Sequence, residues 1–229
     1  ADMSYGAHLT FLGTTVQEGE LPLAEDGANR SRTVLVADTS GLSVGDEVAV
    51  GWVITDAFVA EHGMTGVWTE FNGQWSPFFR REITGINTGV SPAEIELDAP
   101  LRYPARLRDG ASLRKESGYL SECVLRDLAL SDAVGYDDAW AQDQVHLVRF
   151  SGVKDCAIHN VASFASPHPG NTGYHLQSCG ISIEGSKRVT VAGCSLEKAQ
   201  NRDGGGNGYL FEVRQSGEIL FRDCVARDG

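Results

Sequence analysis

Apolar positions along this chain recur on two scales, by alternation within short runs and by a longer period of about thirty residues. Four segments align: Cys123-Val-Leu-Arg-Asp-Leu-Ala-Leu130, Cys156-Ala-Ile-His-Asn-Val-Ala-Ser163, Val189-Thr-Val-Ala-Gly-Cys-Ser-Leu196 and Ile219-Leu-Phe-Arg-Asp-Cys-Val-Ala226, spaced by 33, 33 and 30 residues. In each copy the first and third residues are apolar, the fifth is Asp127, Asn160, Gly193 or Asp223, and an apolar residue follows at once. Alternation sends positions one and three to the same strand face. Position six joins them only if the chain bends at position five, where Asp, Asn and Gly tolerate unusual backbone angles. A second alternating run moves with the same period upstream: His146, Val148 and Phe150, then Cys179, Ile181 and Ile183, then Tyr209, Phe211 and Val213. Helical periodicity is absent. Two strands and a bend per repeat predict an all-β parallel β-helix, a solenoid whose stacked coils bury one continuous apolar column.

The early part of the chain breaks this pattern. Ala7, Leu9 and Phe11 alternate as an early coil would, over 1–16. From 17 to 112 the repeat vanishes, and short alternating segments bounded by Gly or Asp predict a small antiparallel β-rich subdomain, inserted or N-terminal. The coils resume over 113–229. The connection from 51 to 80 is too long for a structureless loop. It holds Trp52, Phe58, Trp68, Phe71, Trp75, Phe78 and Phe79. These rings either form the subdomain's own core or present flat faces for stacking on sugar rings, which makes Trp68 and Trp75 candidate substrate-binding residues.

Composition narrows the classes. With 229 residues, 41% hydrophobic and 22% charged, the chain has an ordinary globular makeup, and 27 glycines against 7 prolines suit many tight bends. A formal charge of -12 repels nucleic acid and anionic membrane surfaces, so neither is an expected partner, and it disfavours a polyanionic substrate unless a cleft builds a local positive patch. No apolar run approaches the roughly 20 residues of a membrane span. No signal peptide is visible. Five cysteines are an odd number, leaving at least one thiol free or paired outside the chain. In the repeat frame Cys123 and Cys156 share one column and Cys194 and Cys224 another, as inward fillers or as pairs bridging adjacent coils. The last repeat ends at Gly229 without a polar cap, which predicts further coils, a second chain or a symmetry mate over that end.

The stretch Asn201-Arg-Asp-Gly-Gly-Gly-Asn-Gly-Tyr-Leu-Phe-Glu-Val213, the run Val153-Lys-Asp-Cys-Ala-Ile-His-Asn-Val161 and the segment Gly45-Asp-Glu-Val48 resemble secreted bacterial right-handed β-helix proteins of the pectate-lyase-like superfamily. The resemblance implies a right-handed single-stranded helix and an extracellular or cell-surface location. It also implies a carbohydrate-active protein, either a polysaccharide lyase or glycoside hydrolase acting on an extracellular polysaccharide, or a non-catalytic glycan-binding, structural or adhesive module. Of the polygalacturonase-like signature only Asp137-Asp138 is present, and no spacing announces a lyase site, so the fold alone does not choose.

Solenoid connections commonly build the binding face. Residues 131 to 144, 164 to 178 and 197 to 207 fall on neighbouring coils. From them Asp137, Asp138, His175 and Arg202 are candidate catalytic residues, and Trp140, Tyr174, Lys198 and Asn207 candidate substrate-binding residues, a set suited to acid and base chemistry on a glycosidic bond or beside a uronate. Each has a plainer role: Asp137 and Asp138 as solvated turn residues, His175 as a cap on the next coil. Asp132, Asp137, Asp138 and Asp143 make Ca2+ a candidate cofactor, without the spacing of a dedicated loop. Gly204-Gly-Gly-Asn-Gly208 follows no strand-to-helix pattern and serves a tight turn rather than a phosphate.

Overall fold

A computed structural model describes residues 2–69, 72–134 and 136–229, the side chains of Tyr136 and Asp138 apart. The chain divides into two compact units, Ala1–Thr14 with Tyr119–Gly229, and Thr15–Gly118. In chain order, β1 (Ala7–Leu12) precedes the second unit's strands, β2 (Val16–Pro22), β3 (Thr33–Val36), β4 (Glu47–Val53), β5 (Trp75–Asn87), β6 (Ala93–Leu97) and β7 (Ser112–Ser117). The first unit resumes with β8 (Leu120–Ser121), β9 (Val124–Leu130), β10 (His146–Ser151), β11 (Val153–Ser163), β12 (Cys179–Glu184) and β13 (Lys187–Ala192). It ends with β14 (Ser195–Glu197), β15 (Phe211–Arg214), β16 (Gly217–Arg222) and β17 (Val225–Arg227).

The first unit is a parallel β-solenoid. One sheet stacks β1, β10, β12 and β15, and the other stacks β8 and β9, then β11, then β13 and β14, then β16 and β17, all in parallel. The thirty-residue period is the register itself: Cys156 pairs with Val189 and Val189 with Ile219, while Leu125, Ile158, Val191 and Phe221 align one above another. Ile158, Val191, Ile181, Ile183 and Phe150 are fully buried in the resulting core. Burial of each such side chain contributes about 1.5–3 kcal/mol. Cys123, Cys156, Cys194 and Cys224 all pack in or against this core, and all five thiols are free, so the inward-filler role holds and no pair bridges coils.

The predicted corner is present in every coil. Asp127, Asn160, Gly193 and Asp223 have φ of 56, 51, 64 and 54°, the left-handed region that turns the strand and sends position six inward. Asn160 also donates to the Asp127 carboxylate at 3.0 Å, tying one corner to the next. A second left-handed column, Glu122, Asp155, Arg188 and Glu218, has φ of 59, 54, 51 and 56°. Only Asp155 of the four is a residue type that enters this region readily, so no residue pattern announces the column. Charge pairing between coils supports it, with Arg188 on Asp155 at 2.5 Å.

Between the two sheets later coils turn through Gly152, through Gly185 and Ser186, or through Gln215 and Ser216. After β1 the chain leaves at this same turn for the whole second unit and returns at β8, where the Leu120 amide donates to the Gly152 carbonyl at 3.1 Å. The longer connections, 131–145, 164–178 and 198–210, all lie on the opposite passage, from the second sheet back to the first.

The second unit is a six-stranded antiparallel sheet in the order β2-β7-β4-β5-β6-β3. Its core is built on Val48, Val50, Trp52, Ile83, Ile95 and Leu113. Within the expected loop stands α1 (Asp56–Glu61), started by Thr55, whose hydroxyl accepts from the Phe58 amide at 3.1 Å. Six residues are too few to register a 3.6 period.

Candidate functional site

The long solenoid connections are sewn to one another by backbone bonds. The Asp132 and Ala133 amides donate to the His175 carbonyl at 3.1 and 3.3 Å, and the His175 amide donates to the Lys198 carbonyl at 3.0 Å. The Ser166 amide reaches the Tyr174 carbonyl at 2.9 Å. Stacking about 4.8 Å per coil therefore continues into the loops and sets their side chains side by side.

Two pairs of titratable or nucleophilic groups follow from this. Asp132 is only 3% exposed, and its Oδ1 accepts from the Gln177 amide at 2.8 Å. Its Oδ2 has no hydrogen-bond partner among the described residues and lies 3.3 Å from Nε2 of His8, 41% exposed. Burial pushes the Asp132 carboxyl up to about 7, and burial also lowers His8 below the usual imidazole range. At pH 7 the carboxyl is therefore about half protonated, and it faces an imidazole whose neutral form burial favours. Both line a cleft of about 380 Å³ with Ser131, Ser166, Pro167 and His168. His168 holds its Nδ1 against the Pro169 carbonyl at 2.9 Å. A carbonyl only accepts, so Nδ1 carries the hydrogen and the neutral ring keeps its lone pair on Nε2.

The second pair is Ser163 with His175, Oγ to Nδ1 at 2.9 Å, where the serine also accepts from the Glu197 amide at 2.9 Å. Burial, then the neighbouring Lys198, lower the His175 pKa, and Glu197 opposes them. His175 thus sits between coils by its backbone and holds a serine by its ring.

Among the remaining expected residues, Tyr174, Lys198 and Arg202 come together, lining a cavity of about 260 Å³ with Thr172, Gly173 and Asp228. Its lining carries two cations, Lys198 and Arg202, and one carboxylate, Asp228. Asn207 is buried and its polar atoms are engaged: it donates to the Asp143 carboxylate at 3.1 Å and the Asp203 carbonyl at 2.7 Å, and accepts from the Gln144 amide and the Ser178 hydroxyl. It pins the glycine-rich loop. Asp137 is exposed on the short helix α2 (Tyr136–Trp140), which also carries the partly exposed Trp140, and the side chain of Asp138 lies outside the described residues. Among the described residues no three Asp, Glu, His or Cys side chains converge as a metal site; of the Ca2+ candidates, Asp132 and Asp143 each give an oxygen to a protein donor, and the side chain of Asp138 lies outside the described residues.

Trp68 and Trp75 belong to the second unit. Trp75 donates to the Ser112 hydroxyl at 2.8 Å and has the Arg114 guanidinium 3.9 Å from its ring. Trp68 lines an open cavity of about 670 Å³ with Ile54, Phe58, Asn72 and Phe78. The sequence reading missed His8 altogether and placed Asp132 among the polar residues of the 131–144 connection and the calcium candidates, without a partner. His8 stands before the insertion and Asp132 after it, so no spacing links them.

No family model matches the chain, and no curated protein matches it. Among solved structures it is similar to three phage tailspikes. The gp54 tailspike of Acinetobacter baumannii bacteriophage AP22, solved in complex with A. baumannii capsular saccharide, is 13% identical, with a TM-score of 0.47 over 94% of this chain and 38% of that one. The tailspike gp49 of Pseudomonas phage LKA1 is 16% identical, with a TM-score of 0.44 over 95% and 35%. The tailspike gp61 of Pseudomonas phage phi297 is 13% identical, with a TM-score of 0.43 over 99% and 36%. The chain spans less than two-fifths of the length of each.

Proposed function

We propose that this chain is part of a glycoside-cleaving enzyme acting on an extracellular polysaccharide, with His8 and His168 as the groups that move protons and Asp132 as the residue that loads His8. The observation that carries this reading is the buried Asp132 carboxyl 3.3 Å from the Nε2 of an exposed imidazole, where burial raises its pKa to about 7. In the loaded state Asp132 Oδ2–H donates to His8 Nε2, and His8 Nδ1–H is left to protonate a departing glycosidic oxygen. As Nδ1 gives up its proton, Nε2 takes the one held by Asp132, so the pair as a whole loses a single proton. His168 Nε2 supplies the opposite function, accepting a proton from water. General acid–base groups of this kind contribute about 10²–10⁴ in rate.

Hydrolysis is favoured over elimination at this cleft by its lining. Abstraction of a proton beside a uronate needs a cation against the carboxylate, and neither Lys nor Arg stands among the residues that wall it. The Tyr174, Lys198 and Arg202 cavity, on the other side of the 164–175 loop, is a neighbouring subsite for the same chain of sugars.

The test is reducing-end release from bacterial capsular and other extracellular polysaccharides, with absorbance of unsaturated products followed in parallel. The expected result is release without unsaturation, a rate that declines as pH rises through about 7, and a loss of roughly 100-fold or more in His8→Ala and in His168→Ala. Asp132→Asn should move the alkaline limb to lower pH, an effect that a purely structural role would not have. Binding without cleavage of any polysaccharide would leave a non-catalytic glycan-binding helix as the function. Unsaturated products would make the chain a lyase.

A further inference from the structure

His168 stands on a turn whose shape is fixed by the polar groups of its neighbours. Between Phe164 and Tyr174 the chain has neither helix nor strand, and no residue of 164–175 belongs to the apolar core of the solenoid. Hydrogen bonds, rather than apolar burial, hold this segment in place. Asn171 closes it. Its Nδ2 donates to the Ser166 carbonyl at 2.8 Å and the Tyr174 carbonyl at 2.9 Å, and its Oδ1 accepts from the Tyr174 amide at 3.0 Å. Its own amide donates to the His168 carbonyl at 3.1 Å. Ser166 grips the same histidine from the other side: its Oγ accepts from the His168 amide at 3.3 Å and donates to the Ala133 carbonyl at 2.5 Å, next in sequence to Asp132. The separation of 33 residues between Ser166 and Ala133 is one coil, so this bond ties equivalent places on adjacent turns of the solenoid. Pro169 disfavours helical angles at His168, and Gly170 and Gly173, at φ 87 and 97°, take up the reversal that follows.

We propose that Ser166 and Asn171 are positioning residues for His168, fixing which of its ring nitrogens is free to face the cleft. Both peptide groups of His168 are held, its N–H by Ser166 and its C=O by Asn171, and this sets where the next carbonyl, that of Pro169, points. That carbonyl accepts Nδ1–H at 2.9 Å, and the hydrogen bond made by one ring nitrogen decides the state of the other. Freed of the two bonds, the Pro169 carbonyl can turn away, and an exposed imidazole then distributes its hydrogen over both nitrogens. The consequence for rate rests on the cleavage proposed above; the geometry does not.

The test is nuclear magnetic resonance of the intact chain with isotope-labelled histidine, above neutral pH, with the His168 signals identified by their loss in His168→Gln. In the wild type His168 should show a protonated Nδ1 and a bare Nε2. In Ser166→Ala and in Asn171→Ala both signals should shift toward the average of the two tautomers, while the backbone spectrum of β11 and β13 stays that of the wild type. Asn171→Asp, of equal size but without the two donors, should act as Asn171→Ala does. Ser166→Thr, which keeps the hydroxyl, should restore the wild-type pattern, an outcome that general loosening by substitution does not produce. Where a polysaccharide is cleaved, either alanine variant should lower kcat about 10–100-fold with KM little changed. Absence of cleavage ends the acid–base assignment of His168 but not this one, which the ring signals judge alone. A wild-type ring without the Nδ1 hydrogen, or a ring pattern unchanged in Ser166→Ala or in Asn171→Ala, would overturn the proposal.

Discussion

Replacing Asp132 by Asn should make the solenoid more stable above neutral pH while removing the decline that this carboxyl imposes between about pH 4 and 7. The carboxyl has an ordinary value of 3.8 and is raised to about 7 by burial, beside His8 and under the Gln177 amide. At about 1.36 kcal/mol per unit, this shift is a destabilisation of about 4 kcal/mol once the pH exceeds the folded value. The sign follows from which state ionises first. The unfolded carboxyl loses its proton above about 4 and the folded one only near 7, so the contribution of Asp132 to stability is most favourable below 3.8, declines between about 4 and 7, and is level beyond. Asn is isosteric, keeps an oxygen for the Gln177 amide and places an N–H against His8 Nε2, but has no charge to bury. The gain should therefore be near zero at pH 3.5 and at most about 4 kcal/mol at pH 8, less whatever water entry already relieves in the wild type. Native-state hydrogen exchange at the β11 and β13 amides, measured for both proteins from pH 4 to 8, isolates the solenoid from the second unit. A difference independent of pH, or an Asn variant less stable at pH 8, would refute the account of Asp132 as a buried acid.

Two further outcomes check the stacking. Ile158→Ala removes the centre of the Leu125, Ile158, Val191 and Phe221 column at a fully buried position and should cost about 2–5 kcal/mol, read by urea unfolding; a cost under 1 kcal/mol would mean the column is not continuous. Gly193→Val places a β-branched residue at φ 64° and should cost at least about 1–2 kcal/mol, whereas Gly193→Asn should be close to neutral because Asn160 occupies the same corner of the preceding coil.

The reach of sequence reasoning follows the range of the interactions involved. A solenoid repeats one local rule, so the inward positions at Cys156, Val189 and Ile219 and the corners at Asp127, Asn160, Gly193 and Asp223 were legible from alternation, period and residue type. Elements without a repeat were less so. The helix at Asp56–Glu61 is a single turn and a half, and the pairing of β7 with β2 and β4 joins segments that share no pattern. The expected cluster was visible only as a set of polar loops. Whether a loop residue meets a ligand or pins a neighbour is settled by its partners, as Asn207, saturated by four protein contacts, and Arg202, lining a cavity, illustrate from the same glycine-rich loop.

By itself, then, the amino-acid order determined the coil length, the inward column and the bends, because each depends on a few neighbouring residues obeying strand alternation and left-handed corner chemistry. Only the tertiary structure decided the chemistry. The inserted unit separates His8 from Asp132 along the chain, stacking returns them to 3.3 Å, and burial there sets where the proton resides; desolvation is a property of surroundings that no stretch of sequence contains.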